Sequence, residues 1–380
     1  MVFAARTRLR LLAGTGLGSG ALALGASNRV SAYPFFSSGA APSKEANPAV
    51  LMPSGGAASQ PGGSTSPSGL PASTAQMRGP VFVLNSRDAS VSFIDPIKMT
   101  VIGEVNVGKE PHHLYPTPDA SQVIVASAMS NELHWFDPLR GQLSQRIRQI
   151  DDPYQLGFSP DRKWFATAAL RLDRVDLYRY NQRGTEPLQM IKRIPLPKAP
   201  SHLWFSADSR TLLATLQDSG ELAAIDLDRQ EVLWKMYIGA LTAGVIITAD
   251  DRFALVGVMG EDHVAVLDWR QRQLIGRIPT GKGAHNFRGA GDRRHIYVSN
   301  RVENTISCLD TSQWRVVANL AVPGGPDCME IAADLKTMWV TSRFARAVHV
   351  LDLPSGKILQ RISVGRSPHG VFMYQRAPWL

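Results

Sequence analysis

GKGAHNFRGAGDRRHIYVSNRVENTISCLDTSQWRVVANLAV, residues 281–322, runs straight into PGGPDCMEIAADLKTMWVTSRFARAVHVLDLPSGKILQRISV, residues 323–364. Both segments are 42 residues long and correspond element by element. The same frame fits the segments beginning at Gly239, Pro197 and Gly108. It also fits the one beginning at Ile150, with a five-residue insertion near Asn181 to Pro187. One series of turn acids, Asp119, Asp161, Asp208, Asp250, Asp292 and Asp334, is spaced by 42 except for one step of 47. A second series runs Asp95, Asp137, Asp226, Asp268, Asp310 and Asp352, interrupted only where Arg179 stands. A fixed period of this size is the signature of a repeat architecture.

Each unit holds four short runs of strand character, as in Met329 to Ala332, Thr337 to Ser342, Ala347 to Leu351 and Ile358 to Val364, separated by turns rich in Asp, Gly, Pro and Ser. Such a unit forms a four-stranded antiparallel sheet. One sheet alone buries little apolar surface, so the units must pack face to face around an axis. The ends decide whether the ring closes. GRSPHGVFMY after the last full unit supplies one opening strand, whereas Gly79 to Val107 supplies three strands and lacks one. Joined, they complete a seventh blade. The fold expected is therefore all-β: a seven-bladed β-propeller over residues 79–374, closed by pairing of N- and C-terminal strands in one blade, with residues 375–380 as a C-terminal tail. Closure leaves no open edge to aggregate.

Ahead of the repeats, Arg6, Arg8 and Arg10 precede an uncharged, Gly-rich stretch from Leu11 to Ala26 and a small-residue site at Val30-Ser31-Ala32. Residues 1–32 thus read as a signal peptide, with a periplasmic or secreted mature chain expected and no transmembrane span within it. The stretch is shorter than the ~20 residues a spanning helix needs. Residues 33–78, dominated by Pro, Gly, Ser and Ala, read as a disordered linker.

The net charge of +9 includes four arginines in residues 1–32, where there is no acid. The remainder, at about +5, is too mildly basic to argue for nucleic acid. Two cysteines, Cys308 and Cys328, form no CxxC or CxxCH, which excludes covalent c-type haem and Cys-rich zinc sites. A disulfide between them and two separate buried thiols are both compatible with the sequence.

VFVLNSRDASVSFID (Val81 to Asp95) and IYVSNRVENTISCLD (Ile296 to Asp310) resemble the YVTN β-propeller repeat, and the resemblance covers about residues 79–374. It implies a periplasmic seven-bladed propeller. That group includes binding proteins, surface-layer modules and distant relatives of the haem d1 propeller; similar propellers serve as lactonases and quinoprotein amine dehydrogenase subunits. No segment matches the haem d1, lactonase or quinone sites residue by residue, and no GH...WD pair marks a WD40 protein. Function must therefore be argued from a site.

In such a ring, equivalent frame positions gather around the axial mouth. The fifth position reads His112, Tyr154, Ser201, Ala243, His285, Asp327 and His369, which places His285, Asp327, His369 and His112 on four adjacent blades. Imidazole and carboxylate suit a divalent metal or a haem-type tetrapyrrole, so these four are the candidate metal ligands; hydrogen bonding to loop carbonyls is the alternative role. His113 and His202, one position later, should turn away by strand alternation and pack between blades. The loops after the second strands add Asn300 with Arg301, Ser342 with Arg343, and Asn85 with Ser86 and Arg87. Three arginines on the histidine half suit an anionic small molecule. The ligand-binding set is then His112, His285, Asp327, His369, Arg301, Arg343, Arg87, Asn85 and Asn300.

Asp151-Asp152 and Glu261-Asp262-His263 read as turn acids, and His134 and His349 as structural residues. Trp135, Trp204, Trp234 and Trp339 suit packing between blades. The function expected is a monomeric ligand-binding or accessory module with a small anion or a periplasmic protein as partner. A metal- or haem-linked oxidoreductase or a lactone hydrolase is the alternative, and whether the chain is catalytic stays open.

Overall fold

The computed structural model describes residues 78–182, 184 and 186–380. The expected signal peptide and nearly all of the expected linker lie outside them. Twenty-eight strands, β1 (Val81–Asn85) to β28 (Pro368–Phe372), form seven four-stranded antiparallel sheets. Blade I is the composite one. Its inner strand β28 pairs with β1, which continues to β2 (Ser90–Asp95) and β3 (Thr100–Asn106). The seam between the two chain ends matches Phe82 with Phe372 and Val83 with Val371. Blades II to VII follow in chain order, with inner strands β4 (Pro111–Pro116), β8 (Pro153–Phe158), β12 (Pro200–Phe205), β16 (Thr242–Ile247), β20 (Ala284–Gly289) and β24 (Pro326–Ile331).

Burial explains why the strands do not all alternate. The second and third strands of a blade are sandwiched between neighbouring sheets and read as continuous apolar runs, VFVL in β1 and ALVGV at Ala254–Val258 among them. Fourth strands lie at the rim; β3 is exposed at five of its seven positions. The core consists of layers between adjacent blades. Between blades I and II, Phe82 meets Phe93 and Phe136 edge to face at 5.0 and 5.8 Å.

The two aspartate series have local causes. After the inner strand, Thr117, Ser159, Ser206 and Thr248 donate their hydroxyls to the acid two residues on. The second series accepts backbone N–H groups two or three residues ahead, Asp95 from Ile97 and Lys98, and Asp137 from Leu139 and Arg140. Both are Asx turns, which favour aspartate because its short carboxylate mimics a backbone acceptor. In blade III, Arg179 takes that place and stacks on Trp164, its guanidinium carbon 3.6 Å from the ring centre.

The tail is part of the packed body. Arg376 bridges to Ala332, and Arg288 donates to the carbonyls of Ala377 and Pro378. Trp379 packs against Trp204 with ring centres 5.7 Å apart. Because Trp204 and Arg288 belong to inner strands of blades IV and VI, the tail crosses the ring at the end opposite the loops discussed next.

Candidate functional site

Each inner strand is preceded by a residue in the left-handed region: Glu110, Asp152, Ala199, Leu241, Gly283, Gly325 and Ser367, with φ between +45° and +79°. Five of these are not glycine, so the turn is held by its surroundings. Part of that hold comes from the second-to-third-strand loop, which is hydrogen-bonded to the same turn. Arg301 N donates to Gly283 O, Arg343 N to Gly325 O, and Ser86 N to Ser367 O. The two loop sets therefore share one face, as the sequence frame requires.

Every inner strand then carries a β-bulge. Between Pro326 and Met329 the strand advances three residues while its partner advances two, from Ser342 to Val340; the same offset recurs in the other blades. The extra residue breaks simple alternation. In consequence His113 and His202 do not turn away as strand alternation predicts; they join the fifth-position residues. The His113 ring centre lies 4.8 Å from that of His369, and His202 lies 5.5 Å from His285. Threonine hydroxyls of the second strands hold the bulges: Thr341 Oγ1 accepts from Cys328 N and donates to His369 O, and Thr215 Oγ1 accepts from His202 N and donates to Ala243 O.

His285, Asp327, His369 and His112 are gathered as the frame predicts, all buried. Asp327 is the hub. Its Oδ1 accepts from Arg301 Nη2 at 2.7 Å and lies 3.1 Å from His285 Nδ1. Its Oδ2 lies 3.3 Å from Arg343 Nη1 and 3.5 Å from His369 Nε2. Arg301 Nη2 is also 2.8 Å from His285 Nε2. It is also 3.0 Å from His285 Nδ1, so one guanidinium nitrogen lies against both ring nitrogens, and Nδ1 faces the carboxylate as well. His369 Nδ1 donates to His112 O at 2.7 Å, and the rings of His112 and His369 stack with centres 3.6 Å apart. Arg343 Nε donates to Ser367 Oγ, which fixes the guanidinium over the next blade.

Electrostatics follow from this packing. Burial, above all, holds His112, His113, His202 and His369 well below the ordinary imidazole value, and brings His285 to about 4. These rings are neutral. Against the upward push of burial, Arg301 in particular holds the Asp327 carboxyl well below the usual carboxylate range. Burial, reinforced by Asp327, pushes the Cys328 thiol well up.

The other candidates separate. Asn85 and Asn300 are buried, and their amides bond the hydroxyls of Ser90 and Ser92, and of Thr305 and Ser307. Gly365 and Gly281 make room for them: a Cβ there would come within 2.8 Å of the amide. Arg87 is exposed on the third blade of the cationic side. Asp152 is tied to Arg171, and Asp151 to Arg174 and Arg193. Glu261 accepts from Ala240 N and Asp262 from Gly283 N, so both brace loops. His134 and His349 meet the hydroxyls of Ser127 and Ser342. Cys308 and Cys328 are separate thiols. On the loops of the mouth face, Met129, Leu172, Val302 and Phe344 are exposed apolar tips.

Fold and cluster together define a closed propeller with a buried polar cluster where its inner strands begin. The profile of the YNCE-like β-propeller family matches residues 51–379, and the chain belongs to that family. No curated protein matches the sequence. Among solved structures it is similar to a functionally unknown protein from Desulfotomaculum acetoxidans (15% identity, 78% of this chain and 98% of that one, TM-score 0.66). It is similar also to the hydrazine synthase of Kuenenia stuttgartiensis (19%, 77% and 100%, 0.61). A third is the dihydro-heme d1 dehydrogenase NirN in complex with DHE (15%, 78% and 75%, 0.60). At these identities the likeness is one of fold. No helix among the described residues is long and apolar enough to cross a membrane.

Proposed function

We propose that the chain is an exported binding module that takes a small anion at its axial mouth, on Arg301 and Arg343. One observation carries this reading: two guanidiniums converge on a single buried carboxylate, amid imidazoles that are neutral. One positive charge is therefore in excess inside the mouth. In addition, Arg301 Nε is buried and meets no acceptor among the described residues. A carboxylate or phosphate oxygen supplies both the charge and the missing acceptor. Export rests on the basic, uncharged-core and small-residue pattern of residues 1–32.

Calorimetric titration with phosphate, citrate and a haem-type tetrapyrrole tests the proposal. We expect at least one of these to bind with Arg343→Gln weakening it tenfold or more, as loss of a charged hydrogen bond of about 1.5–3 kcal/mol requires. Absence of binding by every one of these anions would sink it.

A second reading, an accessory role for a protein partner, is favoured by the exposed tips Met129, Leu172, Val302 and Phe344 around the same mouth. In that case Phe344→Ser abolishes co-purification of a partner, while Arg343→Gln leaves it intact.

A further inference from the structure

On the side of the mouth formed by blades I and II, imidazoles crowd around His369 in a way the anion reading does not use. The ligand atoms of His112, His113 and His369 lie within 4.8 Å of one another. Nδ1 of His112, Nε2 of His113 and Nε2 of His369 are buried and meet no hydrogen-bond partner among the described residues. His369 spends its Nδ1–H on His112 O, which leaves Nε2 as a bare lone pair facing Asp327 Oδ2 at 3.5 Å. Two acceptors facing each other, beside two more unpartnered nitrogens, are costly unless something electrophilic sits among them. Cys328 Sγ adjoins the group, 3.5 Å from His369 Nδ1.

We propose that His112, His113 and His369 hold a soft monovalent metal ion, copper(I), beside the Cys328 thiol. The donors are three imidazoles, a set that favours a soft or borderline ion over a hard one. Charge decides the valence. The one carboxylate nearby, Asp327, is already committed to Arg301 and Arg343, so a dication would enter a region that already carries excess positive charge. A monocation adds half as much. Bonds of about 2.0–2.1 Å to imidazole nitrogen bring ligand nitrogens to roughly 3.3–3.6 Å from one another. Closing the site requires the His112 and His369 rings, stacked with centres 3.6 Å apart, to turn out of their stack so that their in-plane lone pairs converge. The ligands are imidazoles that the anion reading leaves unused, while the choice of a monocation rests on the same excess charge of Arg301 and Arg343.

The test is an anaerobic competition for copper(I) between the purified full-length chain and a chromophoric copper(I) chelator. One equivalent should be withdrawn by the protein. His113→Gln and His369→Gln should each weaken uptake at least about a hundredfold, since even a lost outer-shell partner costs 10–100-fold. His369 is fully buried, so its variant can unfold; His113, partly exposed, carries the test, with folding checked by circular dichroism. Failure of the folded protein to withdraw copper(I), or equal uptake by folded His113→Gln, would overturn the assignment. So would a zinc(II) titration in which these same residues take zinc(II) but no copper(I).

Discussion

Asp327→Asn tests the centre of the mouth. The substitution keeps the side chain's shape and removes the charge on which two arginines and one histidine converge, with no solvent to compensate: Asp327 is wholly buried and Arg301 only 16% exposed. The new amide would turn an N–H toward guanidinium donors on one side. Breaking a buried pair by deleting one partner costs about 3–5 kcal/mol, because the other charge stays behind uncompensated. In a protein of this size each kcal/mol lowers Tm by roughly 2–4 °C, so a fall of roughly 6–20 °C is expected. Urea denaturation followed by tryptophan fluorescence should show a lower midpoint with an unchanged slope. Adding Arg301→Gln should restore part of the loss, since it removes one of the stranded charges. A single-mutant loss below about 1 kcal/mol, or a double mutant no more stable than Asp327→Asn, would refute the account of Asp327 as a charge hub.

Three further outcomes are expected. His285 sits at about 4 in the folded chain against about 6.5 when unfolded, so the unfolded state binds more protons between those values. Stability is full above pH 6.5 and falls toward pH 4 by roughly 3 kcal/mol from this residue alone, at 1.36 kcal/mol per pKa unit; denaturation midpoints that stay flat over pH 7 to 4 would contradict this. Thr341→Val removes the hydroxyl that joins Cys328 N to His369 O across two blades and should cost about 1–3 kcal/mol by denaturant titration. Arg288→Met takes from the carbonyls of Ala377 and Pro378 the guanidinium that holds them, so carboxypeptidase should trim the last residues of the variant faster than those of the parent.

The ring was legible in the sequence because its punctuation is chemical. Aspartates that close Asx turns cannot drift without losing a turn, so Asp119 to Asp334 and Asp95 to Asp352 count the blades. The convergence of His112, His285, Asp327 and His369 followed from the same counting. His113, His202 and Cys328 were misread or passed over because alternation was applied to strands assumed straight. A bulge is invisible to periodicity; its sequence trace is the run that ends in Gly283 and Gly325, where a left-handed residue precedes the strand. The engagement of His285 at both nitrogens was also hidden, since it depends on where Arg301 reaches from another loop. Nor did anything in APWL announce that Trp379 would find Trp204.

The composite blade sets a condition on biosynthesis. Its inner strand, Pro368–Phe372, mates with Val81–Asn85, so the ring closes only when the two ends of the repeat array have met. Until they pair, the chain is an unclosed arc with two bare β edges, the situation that invites wrong pairing between chains. A chaperone that shields those edges should therefore raise the yield of closed rings.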